Sequence, residues 1–259
     1  NNFKMVAKTM FGFEEILAKE LRNLGAGNVE EGVRSVFFEG DTGFMYKVNL
    51  CSRTAIKVLK PITAFNIFTE DDLYKKVYDI PWENYMEADG SLAVDATVYS
   101  EVFTHSQYIS LKTKDAIVDR FRDKAGERPD VDLDHPTLRI NIHIDRNICT
   151  VSLDSSGASL HKRGYKIENT LAPINEVLAA GMIMLTGWNG QCDFMDPMCG
   201  SGTIATEAAM IACNIPPNLN RDEFGFETWP DFDVDLYETI ENAALKKKKE
   251  FYFKIYASD

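Results

Sequence analysis

The most constraining stretch of this chain is CDFMDPMCGSGTIATEAAMIA, residues 192–212. An apolar run ends in Asp196, a turn built on Gly200-Ser201-Gly202 follows, and an alanine-rich segment suited to a helix begins. Strand, glycine turn and helix in that order set free backbone N–H groups beside a crevice, and the glycines let a ligand approach the main chain closely. The flanking pattern agrees: a helix is expected over 174–187, a strand over 191–196, a helix over 202–213, a helix over 234–249 and a final strand over 251–259. A proline- and aromatic-rich stretch, 214–233, interrupts them. This is the opening of a doubly wound parallel sheet. Two strands do not finish such a sheet, because its edges would be bare, so the chain is expected to be a fragment.

Three ligand classes use a turn of this kind. A P-loop requires GxxxxGK[ST], and no lysine stands in the loop, which disfavours a nucleoside triphosphate. A dinucleotide fingerprint reads GxGxxG, and the GxGxxA variant accommodates Ala205 at the third position. S-adenosylmethionine sites place an acidic residue at the strand end four residues before the first glycine, where Asp196 stands. A tight connection with no ligand is the plain alternative for GxG alone and fits the full string Asp-Pro-Met-Cys-Gly-Ser-Gly-Thr poorly. At this level the dinucleotide and S-adenosylmethionine both remain open.

Ahead of the turn the chain alternates element types. Strands are expected over 3–8, 33–40, 54–65 and 91–100, and helices over 12–25, 41–52, 69–80 and 106–126. Phe13, Ile16, Leu17, Leu21 and Leu24 recur at helical spacing before a stop at Gly25, and Asp41 opens the next helix. Residues 137–157 read as two strands joined around Asp145-Arg146-Asn147. Such alternation suggests small α+β layers. The basic, polar passage 158–175 breaks the pattern and is the candidate domain junction.

Composition limits the partners. Lys and Arg total 28 against 40 Asp and Glu, a net charge of −12, which repels phosphates unless the basic residues gather in one place. The five cysteines form no CxxC pair and have no histidine at zinc spacing, so neither a disulfide frame nor a metal is expected. No signal peptide pattern or membrane-length apolar run is found; a cytoplasmic protein with no membrane partner is expected.

The string DPMCGSGTIATEAAMIA resembles motif I of S-adenosylmethionine-dependent RNA methyltransferases that carry an N-terminal THUMP domain. SLHKRGYK (159–166), APINEVLAAGMIMLTGW (172–188) and FGFETWPDFD (224–233) extend the resemblance, which is specific over 157–259 and looser over 1–156. It is similar in particular to bacterial large-subunit rRNA guanine-N2 methyltransferases, whose homologues are often labelled adenine-specific DNA methylases. The resemblance implies a ferredoxin-like segment over 1–60, a THUMP RNA-binding domain over 61–156, a basic linker over 157–171 and the N-terminal portion of a Rossmann-like methyltransferase domain over 172–259. The implied fold class is thus an α+β front part followed by the start of an α/β methyltransferase domain.

Carried over by position, Asp196, Pro197, Met198, Cys199 and the Gly200, Ser201, Gly202 and Thr203 backbone would hold the methionine end of S-adenosylmethionine. Asp259, in IYASD, matches the acidic position that holds the ribose hydroxyls, a role a carboxylate fills by accepting two hydrogen bonds. Met198 departs from the commoner glycine. The catalytic loop [N/D/S]PP[Y/F] is absent from these residues, and NIPPN (214–218) mimics it only in its prolines, so catalytic residues are not assigned and the chain alone is expected to bind cofactor without activity. LHKRGYK gathers His161, Lys162, Arg163 and Lys166 around Tyr165 and is expected to face RNA, expected to be 23S rRNA, or to cover the cofactor. Lys112, Lys114, Arg120 and Arg122 are candidates for a weaker basic face, and the lysines of LKKKKEF (245–251) for a solvated helix face. A non-catalytic RNA-binding module and an adenine-N6 DNA methyltransferase are the alternative functions.

Overall fold

The computed structural model describes residues 1–166 and 173–259. Residues 167–171 of the expected linker, and the expected domain start at 172, lie outside the described residues. The chain divides into two compact units that interleave in sequence. One takes Asn1–Val58, Ser159–Glu223 and Asp233–Asp259; the other takes Leu59–Ala158 and Phe224–Phe232.

The first unit opens with β1 (Phe3–Lys8), α1 (Glu14–Leu24), β2 (Gly27–Glu31), β3 (Ser35–Gly40) and α2 (Thr42–Cys51). β1 and β2 each pair antiparallel with β3, and Met5 faces Phe38 across the ladder. Leu17 and Leu21 of α1 are fully buried, as their spacing requires. Asp41 caps α2 by accepting from the Phe44 backbone N–H at 2.8 Å. β2 was not expected from the sequence, because GNVEE is almost wholly exposed and carries no apolar alternation.

The second unit holds β4 (Lys57–Asn66, its first two residues belonging to the first unit), α3 (Glu70–Tyr78), β5 (Ser91–Tyr99), α4 (Ser106–Ala125), β6 (Asp130–Val131), β7 (Leu138–Asp145) and β8 (Ile148–Asp154). Its strands run in the order β4-β8-β7-β5-β6, with β5 parallel to β7 and β7–β8 an antiparallel hairpin. Leu138, Ile140, Ile142 and Ile144 alternate into the core with period two. A capping box between Thr69 and Asp72 starts α3. Phe224–Phe232 belongs here: the Phe226 N–H donates to Ser155 O at 3.0 Å, and a Cβ on Gly225 would lie 2.6 Å from Asp154 O. The expected basic face of α4 is internally committed, since Lys112 pairs with Asp71, Lys114 with Asp115, Arg120 with Glu83 and Arg122 with Asp119.

The rest of the first unit is α5 (Glu176–Leu185), β9 (Phe194–Asp196), α6 (Thr203–Ala212), α7 (Val234–Leu245) and β10 (Ile255–Ala257). β10 pairs parallel with β9. Ile183, Trp188, Ala208 and Ala212 form a core cluster, against which Phe194, Ile204, Ile211, Phe251 and Ile255 pack. The helix expected over 234–249 stops at Leu245, so Lys246–Lys249 lie beyond it and not on a helical face. Four adjacent like charges resist helical stacking, and the turn instead directs the Lys249 N–H to Cys213 O at 2.8 Å. No residue of α7 is buried, which corrects the expectation that it packs against the sheet; its Tyr237 meets the edge of Tyr46 on α2, centroids 6.0 Å apart.

Candidate cofactor site

The parallel register puts Ala257 opposite Asp196, and both strands end at the same sheet edge. Beyond the strands, the Ser258 N–H donates to Asp196 O at 3.1 Å and the Cys199 N–H donates to Ser258 O at 2.9 Å. The loop after β9 is therefore clamped to the tail of β10. Asp196 ends β9, and the exposed Asp259, more than sixty positions further on in the sequence, lies two residues beyond the end of β10 at the same end of the strand pair.

Within the loop, Gly200 and Gly202 adopt φ of +50° and +75°, where L side chains are strained. A Cβ built on either would meet nothing within 4 Å, so open space lies over the turn. The Gly202 N–H closes the turn on Cys199 O at 2.7 Å. α6 then begins with no side-chain cap, which leaves N–H groups of its first turn for another partner. Thr203 is buried, with Oγ1 3.2 Å from Ser201 Oγ. Pro197 and Met198 face outward, and the Met198 N–H donates to Asp196 Oδ1 at 3.3 Å.

Asp196 is 7% exposed, and its Oδ2 is buried with no hydrogen-bond partner. Buried carboxylate oxygens are normally satisfied. An orphaned one at a strand end, beside an open glycine turn, calls for a donor from outside the chain. An ammonium or hydroxyl donor suits Oδ2, and a carboxylate or other anionic group suits the N-terminus of α6.

The 161–166 segment turns largely inward. Arg163 is 1% exposed and Glu207, on α6, is fully buried. Arg163 donates from Nε to Glu207 Oε1 (3.3 Å), from Nη1 to Leu160 O (2.9 Å) and Asn218 Oδ1 (3.1 Å), and from Nη2 to Arg53 O (2.6 Å). The Tyr165 hydroxyl donates to the same Glu207 oxygen at 3.1 Å. Burial raises the Glu207 carboxyl above the usual range, opposed by the charges of Arg163 and Arg53. Burial likewise pushes the Tyr165 phenol up and the His161 imidazole down. Lys166 pairs with Glu176 at 2.6 Å at the start of α5. His161 is thus held neutral, Arg163 is withheld from any phosphate, and only Lys162 of the five expected contacts is fully exposed. Burial is the physical reason for His161, and the internal carboxylates Glu207 and Glu176 are the reason for Arg163, Tyr165 and Lys166. His161, Lys162, Lys166, Asn175 and Glu176 are among the described residues lining a cavity of about 430 Å³ at the start of α5.

Glu207, Arg53 and Asn218 were not singled out by sequence reasoning. The one available signal was a carboxylate inside the otherwise small and apolar run ATEAAMIA. Arg53 Nη2 donates to Met210 O (3.1 Å) and Ile215 O (2.8 Å), capping the far end of α6. Asn218, the asparagine of the NIPPN mimic, is buried and donates to Asn49 O at 2.7 Å, a structural assignment.

Three family models match in series: the RlmL ferredoxin-like domain over 4–59, the THUMP domain over 68–154 and the RMKL-like methyltransferase domain over 163–259. Fold and site together define a protein of the THUMP-containing methyltransferase class. The ribosomal RNA large subunit methyltransferase K/L of Syntrophotalea carbinolica is 42% identical over 95% of this chain, which spans 35% of that relative's length. Among solved structures, a possible methylase from Clostridium difficile 630 matches with a TM-score of 0.86 at 32% identity, covering 99% of this chain and 68% of that one. SMU.472, solved in complex with SAH, matches with a TM-score of 0.83 at 34% identity, covering 97% and 66%. The chain belongs to the family of RMKL-like methyltransferases that carry RlmL ferredoxin-like and THUMP domains.

No helix among the described residues is long and apolar enough to cross a membrane.

Proposed function

We propose that this chain binds S-adenosylmethionine at the β9–α6 turn and serves an RNA methyltransferase that modifies an exocyclic amine, guanine N2, of 23S rRNA in the cytoplasm. The orphaned Oδ2 of Asp196 is the observation that carries the reading. It suits the ammonium of the methionine moiety, while the uncapped start of α6 suits the carboxylate. Asp259, on the same edge, is suited to the ribose hydroxyls. The SAH complex of SMU.472 supports this choice over a dinucleotide, and the K/L relatives support large-subunit rRNA as the substrate.

S-adenosylmethionine, when bound, supplies a methyl group on a sulfonium centre, open to direct displacement by an amine. The role of this chain's residues is orientation. The clamp between Ser258, Asp196 and Cys199 fixes the turn, and Gly200 and Gly202 keep the space over it clear. Proximity of this kind is a large share of what a methyl transfer needs. Residues 1–259 do not carry the [N/D/S]PP[Y/F] sequence that would accept the amine, so by themselves they bind the donor without transferring the methyl group. The THUMP domain supplies RNA recognition.

Isothermal calorimetry with S-adenosylhomocysteine tests the site. Binding is expected for the wild type and at least tenfold weaker binding for Asp196→Ala. Equal affinities would reject the assignment.

A further inference from the structure

Lys246–Lys249 is a run of four lysines in a chain of net charge −12, and all four are exposed. Among the described residues, many basic side chains elsewhere are committed: Lys112, Lys114, Arg120 and Arg122 of α4 to carboxylates, Lys60 to Asp231, Lys166 to Glu176, Arg163 to Glu207. None of the four ammonium groups of this run makes an ion pair among the described residues. The neighbouring Glu250 accepts from the Tyr252 hydroxyl at 2.5 Å. The backbone beneath the lysines is fixed. The Lys249 N–H donates to Cys213 O (2.8 Å), Asn214 Nδ2 donates to Lys247 O (2.9 Å), and the Lys248 N–H donates to Leu245 O (3.2 Å). Lys47 of α2 is not part of this free run: its ammonium donates to Leu24 O at 2.5 Å and lies 5.9 Å from the Phe44 ring centroid.

A helix C-terminus gains from a cation in its last turn, but that effect fades within one turn and is met by a single residue. Four adjacent ammonium groups, exposed and unpaired on an anchored turn, form a local positive patch that complements an anion. The chain's acidic balance makes phosphate binding depend on such a gathering. We propose that the Lys246–Lys249 turn is a docking surface for the phosphate backbone of RNA, formed by residues other than those of the THUMP domain and the 161–166 segment. The inference rests on the RNA reading above. The surface reads charge and not sequence, as contacts to phosphate do.

The test is fluorescence anisotropy of a labelled RNA hairpin with a single-stranded tail, titrated with the protein at several salt concentrations. Each phosphate contact contributes about 0.7–0.9 to the slope of log affinity against log salt. Replacing all four lysines by glutamine is expected to lower that slope by about two to three and to weaken binding roughly tenfold or more at moderate salt. A charge-matched variant with Lys4, Lys19, Arg22 and Arg34, all outside the THUMP domain, replaced by glutamine is expected to retain most of both. Unchanged S-adenosylhomocysteine calorimetry and melting temperature show that each variant is folded. A patch variant that binds RNA with wild-type affinity and slope overturns the surface while leaving the RNA reading intact, and so does equal loss in both variants. A wild type that binds no RNA at low salt overturns both; a patch variant that loses binding to phosphatidylserine vesicles but keeps wild-type RNA binding overturns RNA as the occupant of the surface alone.

Discussion

Glu207→Gln is the substitution whose outcome follows most directly from the structure. Glu207 and Arg163 are 0% and 1% exposed, so neither charge has water to fall back on. The substitution keeps the shape and one acceptor oxygen but removes the charge facing both Arg163 and Arg53. Breaking a buried ion pair by removing one partner costs about 3–5 kcal/mol, because the other charge is left uncompensated. Arg163 retains three acceptors, Leu160 O, Asn218 Oδ1 and Arg53 O, which moves the expected value to the lower end, about 3 kcal/mol. For a chain of this size that lowers the melting temperature by about 6–12 °C. Thermal unfolding at pH 7 measures the shift, and calorimetry with S-adenosylhomocysteine is expected to show weakened binding, because α6 begins at the glycine turn. Glu207→Leu combined with Arg163→Met is expected to recover part of the loss, since both charges leave together. A single variant within about 1 kcal/mol of wild type, or a double variant less stable than the single, would refute the assignment of a charged buried pair.

Two further perturbations separate local strain from ligand contact and test an ion pair. Gly202→Ala places a Cβ at φ +75° with nothing within 4 Å, so it is expected to cost only about 1–2 kcal/mol of stability; a Gly202→Val variant that stays folded yet binds S-adenosylhomocysteine as tightly as wild type would show that the open space is not the site. Glu83 is held down to about 2 chiefly by its hydrogen bonds from Arg120, at 2.8 and 2.6 Å. A depressed carboxyl stabilises above its unfolded value near 4.5 and loses that contribution as the pH falls toward 2. Glu83 is 48% exposed, so the pair is worth only about 0.5–1 kcal/mol. Glu83→Gln, which leaves the Arg120 bond to Tyr78 O in place, is expected to be less stable than wild type by that amount at pH 6 and to approach it near pH 2, read from urea unfolding at each pH; a difference that persists at low pH would contradict the pair.

Much of the site was legible in the sequence because its chemistry is local. The order of apolar strand, acidic residue, glycine turn and alanine-rich helix is written in consecutive residues, and the helix and strand periods of Phe13–Leu24 and Leu138–Ile144 expose their own buried faces. Element ends were set by backbone chemistry the sequence also carries, such as Asp41 and Thr69 as caps. The exposed β2 and the early end of α7 were not legible, since neither carries an apolar period that would mark it.

Tertiary structure alone decided which charges are available. A run such as HKRGYK shows four potential cations, yet Glu207 and Glu176, ten to forty-four positions away, draw Arg163, Tyr165 and Lys166 inward. The lysines after α7 were read as a solvated helix face and lie exposed beyond the helix end, while Lys112 and Lys114 of α4 were read as a basic face and are paired. Pairing depends on distances of a few ångströms between residues remote in the chain, and Coulomb energies in a buried setting change steeply over that range. The sequence determined that a strand, a glycine turn and a helix would follow one another. The fold determined that Asp196 would keep one oxygen unpaired, and that the strand leading to Asp259 would pair parallel with its own.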